Sequence, residues 1–224
     1  MYADYPKGNA WISRKSPLSS SEYANAVKIS CNLTAVRSVP GRAFNTTRCR
    51  QIGCNETETL GHVLGFCRST ELLRNNRHHR VRSSIAQALR QRGWEVHEEV
   101  HCVSTDDSTR RADIVAIKRD VTQAMVLDPT IRFERDLRQA SEVDVEKQAI
   151  YTPCLPYLAE KYNIPIDRWN VQGLMFGARG SLPNVTGAVL KNLHLSLHEI
   201  ESILINIIRD SLQIIHFHLY LKQN

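Results

Sequence analysis

Nineteen residues, CRQIGCNETETLGHVLGFC from Cys49 to Cys67, hold three of the chain's six cysteines and one of its nine histidines. Cys49, Cys54, His62 and Cys67 are spaced Cys-x4-Cys-x7-His-x4-Cys. Four soft nitrogen and sulfur ligands so close together suit tetrahedral Zn²⁺, and a set that needs no fifth member is structural rather than catalytic. Such a loop is too short to bury a core of its own, so metal binding and local folding are expected to be one event. The competing reading is three core cysteines beside an unrelated histidine. Clustering of Cys and His in an intracellular chain favours the metal. His78 and His79 are rival ligands, but they lie in a run of arginines and are expected to face phosphate or solvent.

A second stretch, RADIVAIKRDVTQAMVLDPT from Arg111 to Thr130, contains two apolar runs joined by a short polar segment. Paired as a hairpin centred between Asp120 and Val121, they set Ile117 against Ala124, Val115 against Val126 and Asp113 against Asp128. Directly opposed side chains on antiparallel strands have Cβ atoms about 5 Å apart, and like charges there repel. A divalent cation between the carboxylates removes the repulsion, and Mg²⁺ prefers such oxygen ligands while keeping waters for chemistry. The alternative places one or both aspartates at strand ends in solvent.

Charge is distributed unevenly. The chain's net charge is +6, yet Arg42 to Arg92 holds ten Arg against three Glu, or +7, leaving nineteen basic against twenty acidic residues elsewhere, or −1. Clustered Arg points to a polyanion such as nucleic acid, through counterion release. A solvated Arg-rich helix is the plainer reading. The segment from Leu197 to Leu221 is interrupted by too many polar residues to cross a bilayer. With no apolar signal run in its first residues, the chain is expected to be intracellular, nuclear or cytoplasmic. Cys31, Cys102 and Cys154 are expected as reduced core thiols.

These residues must be positioned by folded elements. The pattern predicts a helix from Ser19 to Val36 and a Pro40-Gly41 break. A short helix follows from Thr59, then one or two Arg-rich helices from Glu71 to Arg92 stopped by Gly93. Strands are expected from Trp94, Arg111 and Ala124, then helix from about Leu137 to Asn163 broken at Pro153 and Pro156, and a fourth strand from Trp169 to Phe176. Two helices close the chain, the last opened by a Ser196/Glu199 capping box. The expected organisation is a helical linker over 1–41, a zinc knuckle with basic helices over 42–93, and an α/β domain over 94–224.

The order of CRQIGCNETETLGHVLGFC, ArgAsnAsnArgHisHisArgVal from Arg74, RADIVAI with VLDPTIRFE, GluLysGlnAlaIleTyr from Glu146, and GlyAlaArgGly from Gly177 resembles the C-terminal end of the polyprotein of site-specific non-LTR retrotransposons of the R-two type. The resemblance runs from about Trp11 to near the end of the chain. It implies a Cys-Cys-His-Cys knuckle preceding a restriction-endonuclease-like mixed sheet flanked by helices. It further implies nicking of target DNA so that the exposed 3′ end primes reverse transcription, with a reverse transcriptase domain in a full-length relative.

By position, the resemblance makes Asp113 and Asp128 the carboxylates that bind catalytic Mg²⁺, and matches Lys147 to the family's helix-borne lysine. On the residues alone, Lys147 reads as an exposed helical lysine beside an acid. Arg74, Arg77, His78, His79 and Arg80 are then phosphate contacts, giving affinity more than sequence choice. The polyanion they meet is DNA or the element's RNA, which charge does not discriminate. The sequence departs from the family's pattern at Ala112 in place of proline, at Thr130 in place of lysine, and at Pro129, which removes a ladder donor from an interior strand. These departures motivate two alternatives: a catalytically inactive zinc- and nucleic-acid-binding remnant, or a structural zinc module that braces a polymerase domain.

Overall fold

A computed structural model of the chain describes residues 2–6, 9–13, 17–39, 41 and 45–221. Pro40 of the expected Pro-Gly break lies outside them, and Gly41 within. The elements that position the candidate sites are α1 (Ser20–Ser30), α2 (Leu60–Gly65), α3 (Glu71–Arg90), β1 (Glu95–Val103), β2 (Thr109–Lys118), β3 (Gln123–Arg132), α4 (Gln139–Tyr151), α5 (Leu155–Tyr162), β4 (Trp169–Gly177), α6 (Asn184–Asn192) and α7 (Leu197–Tyr220). The expected α/β sheet flanked by helices is what the chain forms. The first helix ends earlier than expected, at Ser30, with Asn32 in the left-handed region at φ 57°.

The sheet has the order β1-β2-β3-β4, with β1, β2 and β3 antiparallel in sequence and β4 added parallel to β3. The β2–β3 hairpin has the expected register, with Ile117 opposite Ala124 and Val115 opposite Val126, but its ladder ends at Ile114 and Leu127, so the expected Asp113–Asp128 pair is not formed within it. Thr122, left-handed at φ 49°, closes its turn. Because β3 and β4 are parallel, a crossover is required, and α4 and α5 supply it. Pro153 and Pro156 sit where those two helices meet, each in a first turn that needs no donor.

Both faces of the sheet are covered. One packs Ile114, Ala116, Met125, Leu127, Leu174 and Phe176 against α3, α6 and α7. The other packs Val115, Ile117, Val126 and Val171 against Tyr151, Leu155 and Leu158 of α4 and α5. The first cluster draws on both sides of Gly93, whose φ of +77° ends the Arg-rich segment after a single α3. The strands are apolar on both faces for that reason. The Ser196/Glu199 capping box forms as expected, with Ser196 accepting from the Glu199 N–H and Glu199 reaching back to the Ser196 N–H. Cys102 and Cys154 are buried, whereas Cys31, at the C-cap of α1, is exposed, which corrects its placement in the core. Among the described residues no helix is long and apolar enough to cross a membrane.

Candidate metal centre and acidic site

Local hydrogen bonding shapes the knuckle. The Cys49 N–H donates to the Glu56 carbonyl at 2.8 Å, the Cys54 N–H to the Gln51 carbonyl at 3.1 Å, and Gly53 turns the chain at φ +75°. Thr59 caps α2 by accepting from the His62 N–H, which fixes the helix that presents His62. Arg74 reaches back from α3 to the carbonyls of Gly65 and Cys67, at 2.6 and 3.2 Å.

The Sγ atoms of Cys49, Cys54 and Cys67 and one ring nitrogen of His62 all lie within 4.8 Å of one another. Cys49 and Cys67 sulfurs are 3.9 Å apart, and Cys54 Sγ is 3.4 Å from His62 Nε2. Ligand atoms around tetrahedral zinc, with Zn–S near 2.3 Å and Zn–N near 2.05 Å, are separated by about 3.8 Å for sulfur pairs and about 3.6 Å for sulfur and nitrogen. The four expected residues therefore fit Zn²⁺. Burial and the neighbouring sulfurs push the Cys49 thiol up, while hydrogen bonds from His218 and Ser69 overcome burial and pull Cys67 down. Two thiolates in contact with no cation repel, and a cation bound there is stabilised.

One acidic residue escaped notice in the sequence. Glu58 is enclosed and accepts from the Arg50 guanidinium, the Arg50 and Arg37 N–H groups, and His218. Burial raises its pKa, but these donors overcome burial and hold the carboxyl far below the ordinary range.

The acidic site lies beside the same N-terminal half of α3 that reaches back to the knuckle. Asp113, Asp128 and Lys147 line one cavity of about 360 Å³ together with Arg74, His78 and Thr130. The β1–β2 ladder breaks where Glu99, left-handed at φ 56°, faces Asp113. Ala112 packs with Val115 and Ile117, not with Ile114, so the alternation of β2 slips at Asp113. His78 Nε2 of α3 is 3.2 Å from Asp113 Oδ1.

Asp128, only 4% exposed, is held by three groups. The Lys147 ammonium is 3.3 Å from Oδ1, the Thr130 hydroxyl donates to Oδ1 at 2.9 Å, and the Tyr151 hydroxyl donates to Oδ2 at 2.9 Å. Burial raises the Asp128 pKa, opposed by Lys147 and reinforced by the charge of Asp113. Gly173, paired with Asp128 in the β3–β4 ladder, makes this possible: a Cβ there would lie 2.8 Å from Asp144 Cα and 3.0 Å from Lys147 Cγ. Only glycine lets α4 approach closely enough to present Lys147. Pro129 does not interrupt β3, whose pairing with β4 continues to Arg132, and the β2 ladder has already ended at Leu127.

Among the residues expected at phosphates, His78, His79 and Arg80 are at least partly exposed on α3. Arg77 is not: it is 2% exposed and donates to Ser211 Oγ and the Leu64 carbonyl, both at 2.8 Å. Much of the local Arg excess is engaged within the chain. Arg80 meets Asp210, Arg82 meets Glu98 and Glu99, Arg90 meets Glu98, and Arg92 meets Glu199. Every one of those acids is distant in sequence or lies beyond Arg92, so counting charge along the segment overstates what is left for a partner.

No family model matches the chain. Two curated relatives from Popillia japonica, both named Retrovirus-related Pol polyprotein from type-1 retrotransposable element R2, are 33% identical over 182 residues and 26% identical over 167 residues. These alignments cover 80% and 72% of this chain but 36% and 26% of the relatives. A protein of the same name from Nasonia vitripennis is 34% identical over 85 residues, covering 38% of this chain and 8% of the relative. The chain is homologous to a segment of retrotransposon Pol polyproteins. The segment is of the R2, non-LTR type, and spans about a third or less of the length of the curated relatives it matches.

Proposed function

We propose that this chain is a metal-dependent DNA endonuclease region of an R2-type polyprotein, nicking target DNA so that the free 3′ end primes reverse transcription. The observation that supports it best is the convergence of Asp113, Asp128 and Lys147 on one cavity, in a chain whose relatives are named as retrotransposon Pol polyproteins. A mixed sheet with an acidic pair on its two interior strands and a lysine on the helix packed beside them is also what a restriction-like nuclease requires.

Asp113 and Asp128, which line the same cavity, would hold Mg²⁺; burial raises the Asp128 pKa first and the Asp113 charge adds to it, a cost that a bound cation would offset. When bound, the ion supplies positive charge that polarises the scissile phosphate and acidifies an attacking water. Tyr151 and Thr130 fix the Asp128 carboxylate, one on each oxygen. Lys147 orients the water from the Oδ1 side and offsets charge developing on phosphorus. His78, His79 and Arg80 face the backbone of the duplex beside the cavity, while Arg74 and Arg77 secure the knuckle and α7. Cys49, Cys54, His62 and Cys67 would hold structural Zn²⁺, bracing the knuckle to which Arg74 of α3 is bonded.

The test is nicking of supercoiled plasmid by the purified chain in Mg²⁺, with Asp128→Ala alongside. Nicking by the parent and not by the variant supports the reading. A zinc-loaded chain that binds DNA and leaves the plasmid intact overturns it in favour of a binding remnant.

A further inference from the structure

The long C-terminal helix ends on the knuckle. The last four carbonyls of a helix have no partners within it and must find donors elsewhere. In α7 two of them find side chains of the knuckle: Gln51 Nε2 donates to the His218 carbonyl at 2.7 Å, and Arg50 Nη1 to the Leu219 carbonyl at 3.3 Å.

On the same turn the His218 ring, 1% exposed, enters the knuckle. Its Nε2 lies 3.8 Å from Cys49 Sγ and 3.2 Å from Glu58 Oε2. His218 groups with Cys49 and Glu58 but not with Cys54, His62 or Cys67, so it stands outside the four-ligand set, against the Cys49 sulfur. Every group facing Nε2 is an acceptor when the thiols are ionised, which requires the proton on that nitrogen. Three thiolates around a divalent ion leave one excess negative charge, and an N–H donor to sulfur offsets it.

We propose that His218 is a positioning residue of the metal centre, its Nε2–H shared between the Cys49 sulfur and the Glu58 carboxylate, so that the metal-folded knuckle serves as the C-cap of α7. The inference rests on the zinc reading of the knuckle. It makes the end of α7 a part of the metal site and makes loss of metal a local unfolding of residues 214–221.

The experiment uses the full chain, His218→Leu, which removes the donor, and His218→Gln, which returns an N–H near the same place. Three readouts are taken: zinc retention against a competing chelator, the sulfur-to-metal charge-transfer band with Co²⁺ in place of zinc, and amide exchange before and after chelation. The expected result is zinc affinity 10- to 100-fold weaker in His218→Leu, the size of effect typical of such outer partners, with most of it restored in His218→Gln. The Co²⁺ band moves to lower energy in His218→Leu alone, because a sulfur that has lost its donor gives electrons more readily. Chelation speeds exchange across 214–221 in the parent at least tenfold while β2 and β3 amides stay protected. Zinc bound at one equivalent, with equal retention in all three proteins and no response of α7 to chelation, overturns the inference and leaves the zinc reading standing. A parent chain that binds neither zinc nor Co²⁺ overturns both.

Discussion

Tyr151 donates its hydroxyl hydrogen to Asp128 Oδ2 at 2.9 Å, from a position where it also reaches the Arg111 carbonyl at 3.0 Å. Tyr151 lies one helical turn beyond Lys147, so a single face of α4 grips both oxygens of the same carboxylate. The phenol's own burial, reinforced by the carboxylate's negative charge, holds it strongly in its protonated form. Tyr151 is therefore a fixed donor at neutral pH.

Tyr151→Phe removes that donor and leaves Oδ2 buried without it. We expect a loss of about 1–2 kcal/mol in stability, read by urea unfolding, the ordinary result of orphaning a buried acceptor. Nicking should fall with kcat more than KM, because the misplaced carboxylate affects chemistry rather than DNA contact. Unchanged unfolding would show that water replaces the hydroxyl.

Arg77 separates structural from nucleic-acid roles on α3. Arg77→Met leaves the Leu64 carbonyl and Ser211 without their donor. A cost of about 2 kcal/mol follows from the lost bonds, or roughly 4–8 °C in Tm for a chain of this size. The salt dependence of DNA binding should be unchanged, whereas Arg80→Met should lessen its slope by about one counterion. Equal slopes for the two variants would contradict this division.

The difference between these two arginines marks the limit of what the sequence shows. Cys49, Cys54, His62 and Cys67 declare themselves because metal ligands clustered in sequence are also clustered in space. The nearness of Asp113 and Asp128 follows from a short turn between two apolar runs, whose register the hairpin keeps as far as Ile114 and Leu127, one pair short of the aspartates. Other features depend on partners that only folding supplies. Arg77 and Arg80 look alike until Ser211 and Asp210 of α7 arrive beside them. His218 looks like one more residue of an amphipathic helix, and Gly173 like an unremarked glycine in a strand. The signals were present as a polar residue at the end of an apolar helix and a strand glycine demanding a close neighbour, but neither names its partner.

Glu199 gives the pH dependence its sign. Hydrogen bonds from Arg92 and the Ser196 cap hold its pKa down at about 2, below the value near 4.3 of an unfolded glutamate. A depressed folded pKa stabilises above the unfolded value and is lost as pH falls through the interval between them. Stability should decline from about pH 4.5 toward pH 2, and Glu199→Gln, weaker by about 1 kcal/mol at pH 7, should decline less steeply. Urea midpoints across that range check it. Glu58 has the same sign, but it lies among the candidate metal ligands of the knuckle, so Glu199 is the cleaner reporter.

Asp128 behaves oppositely. Its pKa is raised by burial and by Asp113 despite Lys147, so the ionised carboxylate destabilises the metal-free fold, an effect absent at low pH and growing as pH rises through the ordinary carboxylate range. Asp128→Asn should therefore melt at or above the parent's Tm at pH 7 without divalent ions, while failing to nick. Adding Mg²⁺ to ten times its Kd should stabilise the parent by about 1.4 kcal/mol, roughly 3–6 °C, and leave Asp128→Asn where it was. Calorimetry on the four samples gives both halves of the comparison. A variant that melts well below the parent in the absence of Mg²⁺ would mean that Lys147, left half-buried without its carboxylate, outweighs the repulsion, and that the pair is a structural ion pair rather than a seat for a cation.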